Sequence, residues 1–146
     1  MARAEVPDAT VFIQVIRNSA TWPAFQEKLA SGRVWLSSVV LAELYAGTRS
    51  RDDARIIDRV ASAMYQGQRL LTPSVSDWTR AGRLISRRVK LSGEMRPRDH
   101  LADVLILVSA ARVKGTVVTV NLRRFDAWAK VAVAAGLDVS VTPYSS

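Results

Sequence analysis

The chain has no cysteine and a single histidine, His100. Disulfide stapling, thiol nucleophiles and cysteine-ligated zinc are therefore excluded, and histidine-rich metal sites with them. A serine–histidine–aspartate triad has only His100 to draw on. Long apolar runs are missing too. The most hydrophobic stretch, Leu101–Val113, is broken by Asp103, Ser109 and Arg112, and it falls short of the ~20 residues that a membrane-spanning helix needs. The opening residues, MARAEVPDATVF, lack the basic start, apolar segment and small-residue cleavage site of a secretory signal. A soluble, cytoplasmic protein without a membrane partner is expected. The catalytic chemistry left available is that of carboxylates, hydroxyls and a hard metal ion.

What is present is an ordinary folded composition. The 146 residues are 49% hydrophobic and 23% charged, enough for one domain over 1–146 with its own core. No internal repeat or low-complexity linker divides it. Lysine and arginine number 21 against 13 acids, a formal charge of +8. That excess favours polyanionic partners, nucleic acid ahead of an acidic protein segment or a membrane surface.

Helical and strand-like patterns alternate along the chain. Val34–Ser37 is a short β-prone run, and Ser37 or Ser38 can cap a helix over Val39–Thr48. Arg51–Met64 is amphipathic, with Ile56, Ile57, Val60 and Met64 on one face. Arg69–Thr72 reads as a strand, and Ser76 as the N-cap of a helix that leaves through Gly93. Arg98–Lys114 reads as a long buried helix ended by Gly115. Thr116–Val120 follows as a β-branched core strand, then a helix over about Leu122–Ala135 ended by Gly136, then a last strand over Leu137–Val141. This alternation predicts an α/β layer fold with a mostly parallel sheet, whose sites form at the C-terminal ends of strands.

Three acids stand out of place for such a fold. Asp8 precedes the apolar run Val11-Phe12-Ile13, Glu43 lies inside SSVVLAELYAG, and Asp103 interrupts LADVLILVSAA. A carboxylate on a mostly buried helix is costly unless it is hydrogen-bonded, paired with a cation or bound to metal. Taken singly, each can be a helix cap, a surface group or half of an ion pair. Taken together, they fall where the C-terminal edge of a sheet and its flanking helices converge. Carboxylates without histidine or cysteine are the ligand set of Mg²⁺ or Mn²⁺. Beneath a basic surface, that set describes metal-dependent phosphodiester hydrolysis.

The segments around these acids resemble the PIN-domain nucleases, and within them the VapC-type toxins of bacterial toxin–antitoxin pairs. DATVFI from Asp8 is similar to the family's opening segment, and LSSVVLAELYAGTRS to its second motif, with Glu43 at the glutamate. TPSVSDWTRAGRL resembles the stretch before the third motif, and DVLILVSAARVKGTVVTVNLRRF the last block. Asp103 and Asn121 are 18 positions apart, as that pattern has it. The resemblance implies a three-layer α/β/α fold and Asp8, Glu43 and Asp103 as ligands of Mg²⁺ or Mn²⁺. It places Thr10 beside them as an orienting group, with Thr119 and Asn121 reaching the site from the end of a strand. It also implies RNA as substrate, homodimerisation and a cognate antitoxin protein.

Two departures from the family pattern matter. Arg124 stands where a further aspartate is common, and Asp126 follows two positions later, turned away by about 100° per helical residue. A cation in or beside the carboxylates offsets part of the field that recruits the ion; pointing outward, it instead binds RNA phosphate. Weaker or more metal-concentration-dependent cleavage is the expectation. Asp99, at i and i+4 with Asp103 on the expected helix, can supply a fourth carboxylate or simply cap the helix. Pro7, before Asp8, makes the first strand short or irregular.

The remaining signals read mainly as structural. His100 is expected at the surface or as a cap, and Trp22, Trp35, Trp78 and Trp128 in core packing. Arg83, Arg87 and Arg88, with Arg49 and Arg51, form a solvated face, a phosphate-contacting rim or a dock for an acidic antitoxin segment. The alternative to an endoribonuclease is a catalytically weakened PIN-fold module that binds RNA or protein. A DNA-binding regulator is disfavoured because no helix-turn-helix pattern with a basic recognition helix is evident.

Overall fold

Short parallel strands connected by helices organise the computed structural model, which describes residues 3–92 and 96–145. In chain order these are β1 (Glu5–Pro7), α1 (Ala9–Arg17), α2 (Trp22–Ala30), β2 (Leu36–Ser37), α3 (Ser38–Ala46), α4 (Arg51–Gln66) and β3 (Leu70–Leu71). There follow α5 (Val75–Ser92), a 3-10 turn over Pro97–His100, α6 (Leu101–Arg112), β4 (Thr116–Thr119), α7 (Leu122–Ala134) and β5 (Ser140–Pro143). β1, β4 and β5 form one sheet in the order β1-β4-β5, and β2 pairs with β3, every ladder parallel. A parallel bridge from Glu5 to Val34 joins the two sheets, giving the order β3-β2-β1-β4-β5. Parallel neighbours need crossovers, which the helices supply. The result is the three-layer α/β/α arrangement expected.

Pro7 is accommodated by the alternation of β1. The Asp8 amide donates to Val118 O at 2.9 Å and Thr116 N to Ala4 O at 2.8 Å, while Glu5 N donates to Arg33 O on the other side. The amide that Pro7 lacks therefore falls on the β2 side, where pairing has already thinned to one bridge. The core beneath the sheet holds fully buried Val6, Phe12, Leu36, Ile106, Leu107 and Phe125. Phe12 meets Phe25 edge-on at 5.3 Å. In α6 the run from Val104 to Ala110 is buried throughout, so this helix lies in the interior and shows no polar stripe.

Several boundaries differ from the sequence expectation for identifiable reasons. Helix α5 is capped by Ser74 and not Ser76: Asp77 N donates to Ser74 Oγ at 3.1 Å and Ser74 N to Asp77 Oδ2 at 3.0 Å. This is a reciprocal capping box with aspartate in the glutamate role. Asp77 is only 3% exposed and also forms an ion pair with Arg112, whose Nε stands 2.9 Å from Oδ2, tying the start of α5 to the end of α6. Gly93 lies outside the described residues. The long helix expected from Arg98 begins at Leu101, because the chain from Pro97 first makes a 3-10 turn.

The left-handed residue after α6 is Lys114, at φ 51°, and not Gly115. Gly115 serves close approach instead: a Cβ there would stand 3.2 Å from both Ala110 O and Val6 Cγ2. The last strand starts at Ser140, three residues later than expected, because Leu137 N is still bonded to Ala132 O of α7 at 3.0 Å. Trp128 is buried and Trp22 and Trp35 pack against the core, whereas Trp78 is 50% exposed and does not. Among the described residues no helix is long and apolar enough to cross a membrane.

Ser37 ends β2 and caps α3, its fully buried hydroxyl accepting from Val39 N at 3.2 Å and Val40 N at 3.5 Å. Ser37→Ala is expected to lower stability by about 1 kcal/mol. Urea unfolding should show the midpoint fall with an unchanged m-value; a midpoint equal to wild type would remove the cap from the account.

Candidate carboxylate centre

Adjacent parallel strands deliver their C-terminal ends to the same edge, and β1 and β4 end on Pro7 and Thr119. The next residue after β1 is Asp8, the N-cap of α1. Its carboxylate is fully buried and is held by three donors. Oδ1 accepts from the Thr10 hydroxyl at 2.5 Å and Val11 N at 3.3 Å, and Oδ2 from the Thr119 hydroxyl at 2.7 Å. Burial without such donors would be prohibitive for a charged group. The hydroxyls are themselves fixed: Val120 N donates to Thr10 Oγ1 at 3.2 Å and Asn121 N to Thr119 Oγ1 at 3.0 Å. Thr10 and Thr119 thus both stand beside Asp8 and hold its carboxylate in one orientation. Asn121 takes part through its backbone, and its side chain is exposed on the wall of an open cavity of ≈ 470 Å³.

Glu43 comes from the second half of α3 and Asp103 from the first turn of α6. Both reach the same point as Asp8, and the group at that point is Arg124, from the first turn of α7. Its Nε donates to Asp103 Oδ1 at 2.6 Å, and Nη2 stands 2.5 Å from the same oxygen. Nη2 also donates to Glu43 Oε2 at 3.0 Å, and Nη1 stands 3.7 Å from Asp8 Oδ2. Burial of this guanidinium pushes its pKa down; hydrogen bonds to Asp103 and Glu43, with their Coulomb attraction, outweigh that and hold it above its ordinary value. Arg124 is a permanent cation here.

The donor set suits a hard divalent ion in kind, since it is all carboxylate. One oxygen, Glu43 Oε1, is buried without a hydrogen-bond partner, as an oxygen meant for a ligand would be. In its present spacing, however, the cluster fits the guanidinium. Among the described residues no three acidic or histidine side chains form a ready cage for a metal ion.

Asp99 is not brought into this group. It lies in the 3-10 turn, exposed, on the wall of the same cavity, and among the described residues it joins no ion pair. The i, i+4 relation to Asp103 fails because α6 begins only after Asp99. His100 stands at the N-cap of α6 without a side-chain capping bond and packs on Trp128 at 5.3 Å. Arg88 covers the same indole at 4.7 Å and, with Arg123, gives the cavity a basic wall. Arg83, Arg87 and Lys90 line a separate concavity on α5. Two carboxylates, one buried and one partly buried, have cation partners that went unread in the sequence: Asp77, paired with Arg112, and Glu5, paired with Lys28 at 2.9 Å. Only the first had a local signal, the Ser74-x-x-Asp77 spacing.

A family model described as PIN domain matches residues 6–131. No curated protein matches the chain in sequence. Among solved structures, the DNA-bound VapBC complex of Salmonella typhimurium is similar with a TM-score of 0.67 and 19% identity, covering 99% of this chain and 100% of that one. VapBC2 of Rickettsia felis, bound to a promoter fragment, gives 0.62 and 15% over 97% and 99%. VapBC-5 of Mycobacterium tuberculosis gives 0.54 and 19% over 98% and 100%. At such identities these likenesses concern the fold.

Thr119→Val keeps the shape of the side chain and removes one donor to a fully buried carboxylate. A loss of about 1–3 kcal/mol is expected, read by thermal or urea unfolding. A variant as stable as wild type would mean that Asp8 does not need this bond.

Proposed function

The chain belongs to the PIN-domain family, and from that premise we propose that it is a divalent-metal-dependent endoribonuclease, the VapC-type toxin of a type II toxin–antitoxin pair. The observation that carries this reading is the meeting of Asp8, Glu43 and Asp103 from three separate elements at the C-terminal edge of the sheet. In it, these three residues hold Mg²⁺ or Mn²⁺, with Arg124 displaced from between them. The bound ion would supply Lewis-acid stabilisation of the phosphate and a water activated for attack. Thr10 and Thr119 keep Asp8 in one orientation. Asn121 faces the reacting strand from the cavity wall. Arg88 and Arg123 contact RNA phosphates, consistent with the net charge of +8. Asp99, from the cavity wall, is at most an outer ligand.

A cognate antitoxin and a homodimer complete the proposal, as does a cytoplasmic location. Its support is the similarity in fold to complexes named VapBC. A second reading, a PIN-fold module that binds RNA or protein without cutting, is favoured by one observation: a cation of the chain itself already neutralises part of the acidic cluster.

Asp103→Asn and Asp8→Ala are expected to reduce cleavage of single-stranded RNA in Mg²⁺ or Mn²⁺ to background while circular dichroism shows the fold retained. Unchanged rates would refute the site. RNA binding without cleavage by the wild type at any concentration of either ion would select the second reading.

A further inference from the structure

Arg124 contacts every one of the three carboxylates, and it does so from the chain's own α7. Its Nη2 lies 2.5 Å from Asp103 Oδ1 and 3.0 Å from Glu43 Oε2. A magnesium ion takes such oxygens at about 2.0–2.1 Å in a demanding octahedral arrangement. A nitrogen and an ion cannot both occupy the lone pairs that face the centre. The side chain, with its guanidinium carbon 5.1 Å from the Phe125 ring centroid, is 23% exposed and already forms part of the wall of the ≈ 470 Å³ cavity, which offers it a solvated alternative. Glu43 adds a second sign of an adaptable centre, because its Oε1 is buried and unpartnered while Oε2 serves the guanidinium.

We propose that Arg124 is a tethered cation that keeps the carboxylate centre closed in the resting chain, so that a divalent ion enters only as the guanidinium leaves. The inference rests on the reading of Asp8, Glu43 and Asp103 as the ion's ligands, and extends it from which residues bind to what they must first release. Ion binding is then linked to the side-chain equilibrium. The apparent affinity is the intrinsic one reduced by the fraction of chains in which Arg124 stands aside. The arrangement has a second consequence. The metal-free protein is held together at this point by a built-in countercharge, and it does not depend on an ion for stability as a bare three-carboxylate cluster would.

The test is a calorimetric titration of Mn²⁺ into metal-stripped wild type, Arg124→Gln, Arg124→Lys and Arg123→Gln, with thermal unfolding of each in EDTA. Arg124→Gln is expected to bind Mn²⁺ roughly tenfold or more tightly than wild type. It should melt lower than wild type in EDTA and regain stability with Mn²⁺. Arg124→Lys, whose ammonium can hold one carboxylate but not span them, should fall between, and it carries the comparison if the glutamine variant does not fold. Arg123→Gln removes a neighbouring charge that among the described residues forms no ion pair, and should change affinity less than threefold, separating exclusion from a mere change of field. Equal Mn²⁺ affinities in wild type and the Arg124 variants, or an equal gain in Arg123→Gln, would overturn the proposal. RNA cleavage is scored separately. An affinity gap without cleavage leaves Arg124's role standing and removes the nuclease reading, whereas cleavage with equal affinities does the reverse.

Discussion

Concentrated negative charge at the buried end of a parallel sheet has to be balanced, and much of this molecule's local structure is arranged around that requirement. Asp8 has no solvent contact at all. In water its charge would be solvated from all sides; here three donors from α1 and β4 do that work. Those donors are in turn fixed by backbone amides of the turn into α7. The strand register that places Thr119 beside Asp8 is thus part of the electrostatics, because β1 and β4 pair from Glu5–Thr116 to Pro7–Val118 and end together. A slip of one residue would turn the Thr119 hydroxyl to the other face and leave a buried charge with one donor fewer.

The countercharge completes the balance and also explains the asymmetry of the cluster. Asp8 keeps its three donors whatever Arg124 does, and the guanidinium stands 3.7 Å away from it. Asp103 and Glu43 are different: among the described residues, the hydrogen bonds their carboxylates accept come from Arg124. The centre therefore consists of one preorganised anchor on the sheet edge and two helical carboxylates gathered by a single guanidinium. Rigid placement favours catalysis and binding because little ordering remains to be done. That placement is complete for Asp8 and incomplete for the two acids from α3 and α6.

Much of this was legible in the sequence, for reasons that can be traced residue by residue. A carboxylate interrupting LADVLILVSAA is conspicuous because its neighbours demand burial, so Asp103 announced itself. The same holds for Glu43 in SSVVLAELYAG and for Asp8 before a β-branched and aromatic run. The crossovers were legible because Thr116–Val120 is β-branched and glycines mark the ends of α6 and α7. What was not legible depended on geometry with no local signature. The 3-10 turn at Pro97 separates Asp99 from Asp103, although their spacing alone suggests one helical face. Lys114 adopts the left-handed conformation that a glycine usually takes at a helix end, while Gly115 is committed to packing against Val6 and Ala110. Trp78 is exposed beside a capping box that needed only Ser74 and Asp77. Arg124 was recognisable as a departure, yet nothing in NLRRF distinguishes a side chain turned out to solvent from one turned in.

That last ambiguity is settled by position within α7. Asn121 is the N-cap, so Arg124 stands in the helix's first turn, on the side facing α6, while Arg123 is exposed. The first turn also carries the partial positive charge of the helix dipole, which disfavours a cation there by itself. An arginine is held at this place because Asp103 and Glu43 lie within hydrogen-bond reach, and their attraction exceeds the cost of burial. An acid at the same position would be favoured by the dipole and would leave the other three carboxylates in need of an external cation. The substitution of arginine for acid therefore reverses what the centre requires: a cluster that would have to recruit its positive charge from solution has one supplied by its own chain.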